Sequence, residues 1–232
     1  MEAIWDGLLE AIRQVASGDR ELREIAVRTL LVSGTATALA AAAGIPLGLA
    51  LSRARFQGRI PAMAVLNAGM GFPPVIIGLV VWLLLLRSGP FGDLGLVYTK
   101  RGMIAAQVIL AFPVIAAFSA AAFQALPSEL GDLLHVLGAG RIRRLLLLSR
   151  EARLGLAAAV MAGFGSAVSE VGASMIVGGN LAGNTRVLTT SIVTETSRGR
   201  NDNAMALGIV LLGLTFLVAG VLTVVQQRGI RK

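Results

Sequence analysis

Along the chain, long stretches without a single Asp, Glu, Lys or Arg alternate with short connections rich in Arg. Residues 29–52, 60–86, 102–128 and 203–227 are such stretches, and each exceeds the roughly 20 residues that cross ~30 Å of hydrocarbon as a helix. A fifth stretch, 154–179, is equally apolar but carries one carboxylate, Glu170, deep inside it. An ionisable group at that depth is costly and marks function. Ahead of the first span, Ile4, Leu8, Ile12 and Val15 share one helical face with Trp5 and Leu9 beside it, while Glu2, Asp6, Glu10 and Arg13 lie elsewhere. That is the pattern of an amphipathic helix, suited equally to a membrane interface or to packing on neighbouring helices. It does not read as a secretion signal, because its start is acidic and its apolar positions are interrupted. The expected fold is all-α and integral to the membrane: five transmembrane helices plus the N-terminal amphipathic helix, in a single domain over residues 1–232.

Five spans put the termini on opposite sides. With the N-terminus outside, Arg53, Arg55, Arg59, Arg141, Arg143, Arg144, Arg150, Arg153, Arg228, Arg231 and Lys232 fall inside, eleven of the 21 basic residues. The positive-inside rule therefore barely chooses an orientation. Interruptions within the spans say more. Asn67-Ala-Gly-Met-Gly-Phe-Pro-Pro74 lies in the second span, where adjacent prolines remove two amide donors and free carbonyls that hydrocarbon cannot satisfy. This face is expected to meet protein or water. Pro113 predicts a similar interruption in the third span, and in the fourth Ala162 with Ser166, and Gly165 with Ser169, have the spacing of small residues that lets helices approach closely. A static bundle accounts for these features one by one; helices lining a pathway account for them together.

Composition narrows the chemistry. Of 232 residues, 55% are hydrophobic and 15% charged, with no Cys and one His, which removes disulfides, thiolate metal sites and Cys/His nucleophile pairs. The formal charge of +8 comes from Arg flanking apolar spans, where it anchors helix ends, and does not call for nucleic acid. A phosphate-binding loop ending in Gly-Lys-Ser/Thr is impossible, since Lys100 follows Thr99 and Lys232 follows Arg231. His135 lies in a polar connection, away from any intramembrane Ser. The chain reads as a transport subunit, not an enzyme, and binds no cofactor or metal of its own. Five spans hardly enclose a polar route, so transport calls for two copies about a two-fold axis. A proton-coupled carrier using Glu170 remains a second reading, although no inverted repeat or second intramembrane carboxylate accompanies it.

The connection 129–153 carries a more specific pattern. Asp132-Leu-Leu-His-Val-Leu-Gly138-Ala-Gly-Arg141-Ile-Arg-Arg-Leu resembles the cytoplasmic EAA loop of ABC importer permeases, with Asp-Leu-Leu where Glu-Ala-Ala is common and Arg150-Glu151 where Leu-Pro usually closes the motif. A short helix presenting Leu133, Leu134 and Leu137 and ending at Gly138 suits insertion into a partner's groove. Ser169-Glu-Val-Gly-Ala-Ser-Met-Ile-Val-Gly-Gly-Asn-Leu-Ala-Gly-Asn-Thr-Arg-Val-Leu-Thr-Thr-Ser-Ile-Val-Thr-Glu-Thr196 is similar to the fourth span and outer loop of permeases for tungstate, molybdate and sulfate. Gly71-Phe-Pro-Pro-Val-Ile-Ile-Gly-Leu-Val80, Arg87-Ser-Gly-Pro-Phe-Gly92 and Leu96-Val-Tyr-Thr99 are most similar to the tungstate branch. The resemblance extends over nearly the whole chain.

It implies the type I ABC importer permease fold and a homodimer in the inner membrane, with the N-terminus outside and the C-terminus cytoplasmic. It further implies separate cytoplasmic ATPase subunits holding ATP and Mg, and an outer oxyanion-binding protein that delivers tungstate or, alternatively, molybdate or sulfate. Asp132, Leu133, Leu134, Leu137, Gly138, Ala139 and Arg141 are then the expected ATPase-coupling residues. A tetrahedral dianion needs amide and hydroxyl donors without permanent tight binding. Gly178, Gly179, Asn180, Thr185, Arg186, Thr189 and Thr190 are expected to line the path or its gate, although turn chemistry and docking of a binding protein favour the same residue types. Glu170 would repel the cargo if exposed, so it is expected to be paired, with Arg28 or a backbone amide as partner.

Overall fold

The computed structural model describes residues 7, 9, 10, 12, 13, 15–53 and 57–228. Ile4, Trp5, Leu8, Arg55, Arg231 and Lys232 lie outside the described residues. The described positions between 7 and 16 are helical. Gly7 leaves no room for a Cβ beside Met205, whereas Leu9, Ile12 and Val15 are exposed, so this segment touches protein on one side and presents apolar residues on another.

The chain continues through α1 (Arg20–Arg53), α2 (Arg59–Gly69), α3 (Pro74–Leu85), a 3-10 turn (Gly92–Leu94), α4 (Lys100–Gln124), α5 (Ser128–Val136), α6 (Arg141–Glu151), α7 (Arg153–Val168), α8 (Gly172–Gly178), α9 (Leu188–Ser197) and α10 (Asn201–Arg228). Capping sets two of the starts: Asp19 accepts from the Leu22 amide at 2.7 Å, and Thr99 accepts from Gly102 at 3.2 Å. α1, α4 and α10 are each long and apolar enough to span a membrane; α2 with α3 and α7 with α8 are pairs bent by 99° and 58°.

Glycine contacts reveal how these helices run. A Cβ on Gly48 would lie 2.7 Å from Ser119 Cβ and one on Gly44 3.2 Å from the Ala116 amide, while Val32 packs with Met103. Numbering rises together, so α1 and α4 are parallel and the chain must recross between them. The bent pair α2–α3 is that return. Gly155 then sits against Ala122, Gly163 against Ile115 and Gly178 against Met103, which makes α7–α8 a single antiparallel return along the whole of α4. α10 comes back again, Leu207 packing with Leu22 and Ile25 near its start and Gln226 bonding the Leu154 carbonyl at 3.0 Å near its end. The result is five crossings, with the start of α1 and the end of α10 on opposite faces.

Two sequence expectations change. Pro113 does not break its span: α4 runs uninterrupted through it. One proline removes one helical hydrogen bond, whereas Pro73-Pro74 also force the preceding backbone to extend; Pro73 has φ −62° and ψ 119°. The small residues of α7 that meet α4 are Gly155 and Gly163, with fully buried Ala159 between them. Gly165 has open space where a Cβ would stand, and Ser169 is exposed.

Candidate functional site

On the face where α4 ends, α5 and α6 form a hook. α5 stops because Gly138 adopts φ +71° and the Ala139 amide returns to the Leu134 carbonyl at 3.0 Å, the six-to-one closure of a helix ending in glycine. Gly140 then opens α6. Leu130 and Leu134 pack inward on Phe123, Leu148, Ala152 and Leu156. Leu134, expected to face a partner, thus belongs to the chain's own core. Outward stand Leu133, Val136 (83% exposed) and Leu137 (71%), joined across the turn by Ile142. Ala139 is half-buried and Arg141 exposed; the side chains of Asp132 and His135 lie outside what is described, although their backbone is helical. Val136 was missed in the sequence, yet its position three residues after Leu133 places it on the same face.

At mid-span, two breaks adjoin. A Cβ on Gly172 would stand 2.6 Å from Val75, and one on Gly78 2.5 Å from the Ala173 Cα, so α3 lies directly on α8. Glu170 occupies the α7–α8 break and is 6% exposed. Its carboxylate accepts from the Ala173 amide at 2.7 Å, and its carbonyl accepts from Thr189 Oγ1 at 3.0 Å. Of the two expected partners it is the backbone amide that is engaged. Arg28 instead donates to the carbonyls of Arg186 (2.7 Å) and Gly183 (3.0 Å).

The opposite face carries the loop 179–187. Gly179, Asn180 and Gly183 have φ of +68°, +49° and +73°, and Gly179 lies so close to the Tyr98 ring that a Cβ would fall 2.6 Å from it. Thr185 is buried, donating to the Gly178 carbonyl and accepting from the Leu181 amide. Thr29 accepts from Leu188 at 2.9 Å, Thr190 from Val187 at 3.0 Å, and Asn180 donates to Thr194 at 2.7 Å. The hydroxyls of Thr185 and Thr190 therefore hold the loop and its exit, while that of Thr189 ties α9 to the break at Glu170. Arg186 borders a cavity of about 300 Å³ shared with Glu21, Glu195, Arg198 and Arg200. There Glu195 meets Arg200 at 2.6 Å, and Glu21 stands 4.0 Å from Arg186. Arg28 was expected only as a partner of Glu170; no spacing signal announces its bonds to carbonyls more than 150 residues away.

Residues 44–232 match the family model described as the binding-protein-dependent transport system inner membrane component. A tungstate uptake system permease protein of Peptoclostridium acidaminophilum, TupB, is 40% identical over 227 residues, 98% of this chain and 100% of that one. A probable anion ABC transporter permease protein of Haloferax volcanii is 42% identical over 207 residues, 86% and 89% of the two chains. Among solved structures, an inward-facing form of the MetNI methionine ABC transporter matches with a TM-score of 0.66 at 19% identity, covering 90% of this chain and 94% of that one. A five-crossing membrane fold and a family match over most of its length make this chain a member of the binding-protein-dependent transport system inner membrane component family.

Proposed function

We propose that the chain is the permease subunit of an ABC importer that moves tungstate across the inner membrane. It works as a homodimer with two separate ATPase chains, which hold ATP and Mg, and with an outer oxyanion-binding protein. The observation that carries this reading is the full-length 40% identity to a tungstate permease, in a chain that also presents the Leu133, Val136 and Leu137 hook. The hook face is assigned to the cytoplasm, which puts the N-terminus outside and the C-terminus inside.

Within this assignment α5 seats in an ATPase groove through its outward side chains, with Gly138 and Arg141 at its exit. Movement of the groove on ATP binding then reaches the spans through Leu130 and Leu134, which bear on α4 and α7 at Phe123 and Leu156. At the outer face, the loop 179–187 is held by Arg28, Thr29 and Thr185, a rigid platform for the binding protein, with Gly178, Gly179, Asn180 and Arg186 along the entry. Molybdate and sulfate share the charge and tetrahedral shape of tungstate and are the alternative cargoes.

A proton-coupled carrier is disfavoured because the Glu170 carboxylate is buried and bonded within its own chain. Uptake into proteoliposomes separates the two mechanisms. The importer accumulates tungstate only with ATPase, binding protein and ATP present. Accumulation driven by a pH gradient without the ATPase contradicts the proposal.

A further inference from the structure

We propose that residues 67–74 of each protomer line the aqueous passage of the transported oxyanion at mid-depth in the membrane, an inference that rests on the importer function proposed above. α2 ends at Gly69 and α3 begins at Pro74. Between them the amides of Met70, Gly71 and Phe72 turn back to the carbonyls of Asn67, Ala68 and Gly69 at 3.3, 3.0 and 3.3 Å. Among the described residues nothing donates to the carbonyls of Met70, Gly71 and Phe72, and Pro73 and Pro74 have no N–H to offer.

The depth follows from packing. A Cβ on Gly69 would stand 2.9 Å from Pro113, and Pro113 is close to the midpoint of the 25-residue α4. At this level lipid offers no hydrogen bond, and each unsatisfied backbone group costs several kcal/mol there. Yet Asn67 and every residue from Met70 to Ile76 are exposed on the chain. In this proposal, water in the passage between the two protomers supplies those bonds.

The other break is more buried and draws on side-chain hydroxyls. Ser33 donates to the Ala167 carbonyl, Ser169 to that of Gly165 and Thr189 to that of Glu170. On α10, by contrast, the large exposed side chains of the mid-span are Leu212, Phe216, Leu217 and Val221, a face suited to acyl chains.

The wet face is also neutral. No charged residue occurs from 60 to 86, and the nearby Glu170 carboxylate is turned to the Ala173 amide. Asn67, backbone carbonyls and the side chains of Met70 and Phe72 make a wall that a hydrated dianion can pass without being held, which is what conduction requires.

The chain contains no cysteine, so single cysteines can be read without background. Asn67→Cys, Phe72→Cys and the lipid-side control Phe216→Cys are assembled with ATPase and binding protein in proteoliposomes and treated, during ATP turnover, with a charged water-soluble thiosulfonate. The expected result is that Asn67→Cys and Phe72→Cys react and lose most of their tungstate uptake, while Phe216→Cys neither reacts nor loses uptake. Cysteines at 67 and 72 that stay unreactive during turnover, or that react with uptake unchanged, overturn the proposal. If Phe72→Cys fails to assemble, Asn67→Cys carries the same test from an exposed position. Tungstate uptake before the reagent is added judges the importer reading separately: an unmodified complex that carries no tungstate with ATP fails that reading, whereas intact uptake with unreactive cysteines fails only this inference.

Discussion

Replacing Leu137 by Asp separates the outward face of the hook from its inner one. Leu137 is 71% exposed on the chain, so the substitution alters stability by no more than about 0.5 kcal/mol, as is usual for surface positions. Seated in a groove, the exposed part of a Leu side chain contributes about 1–2 kcal/mol of burial. Two hooks in a homodimer together lose about 2–4 kcal/mol, which weakens ATPase retention roughly 30- to 1,000-fold at about 1.4 kcal/mol per factor of ten. Leu134→Ala is the complementary change. Leu134 packs on Phe123, Leu148, Ala152 and Leu156, and its truncation costs about 1–3 kcal/mol of the permease's own stability, less than a fully buried Leu because it is half-buried. Co-purification of the ATPase in detergent, read beside thermal unfolding of the permease alone, distinguishes them. Leu137→Asp should lose the partner and keep its unfolding temperature; Leu134→Ala should lower that temperature. If Leu137→Asp retains its ATPase at wild-type stoichiometry, the docking assignment of α5 is refuted.

Other positions give independent checks. Gly48→Val places a side chain within 2.7–2.8 Å of Ser119 Cβ, the Ala116 carbonyl and the Ala120 amide, an overpacking of about 1–3 kcal/mol or more; its thermal stability in detergent should fall well below that of Gly208→Val, where a Cβ meets nothing within 4 Å. Glu170→Ala strips the buried Ala173 amide of its acceptor, at about 1–3 kcal/mol, while Glu170→Gln keeps an oxygen in place. Uptake should survive the Gln variant better than the Ala variant, and a Gln variant that loses only a pH-gradient response would instead support the carrier. Gly179→Val combines positive φ with collision against Tyr98, so it should reduce uptake while leaving ATPase co-purification intact.

Much of this arrangement was legible in the sequence because bilayers impose strong constraints. Four charge-free runs and a fifth interrupted only by Glu170 gave the five crossings, and Pro73-Pro74 gave the location of the first break, since consecutive prolines cannot continue a helix. Gly138 was recognisable as a hook exit through the resemblance of the segment from Asp132 to Arg144 to the EAA loop. What the sequence hid depends on direction and partner. Helical periodicity could not say that Leu134 turns inward while Val136 turns outward, because α5 is short and apolar on both sides. The Thr hydroxyls at 185, 189 and 190 look like substrate donors until the fold assigns each a backbone partner. Arg28 and the carbonyls of Gly183 and Arg186 are joined only by the return of the chain across the membrane. Pro113 misled because a single proline, packed against Gly69, is tolerated inside a long buried helix.

The central claim, ATP-coupled tungstate import through this subunit, is tested most directly by the tungsten content of cells supplied with trace tungstate. Cells lacking only this chain should fail to accumulate tungsten. Wild-type permease should restore accumulation and Leu137→Asp should not, even at equal amounts in the membrane. Tungsten accumulation that is unchanged without the chain, or fully restored by Leu137→Asp, would contradict the account.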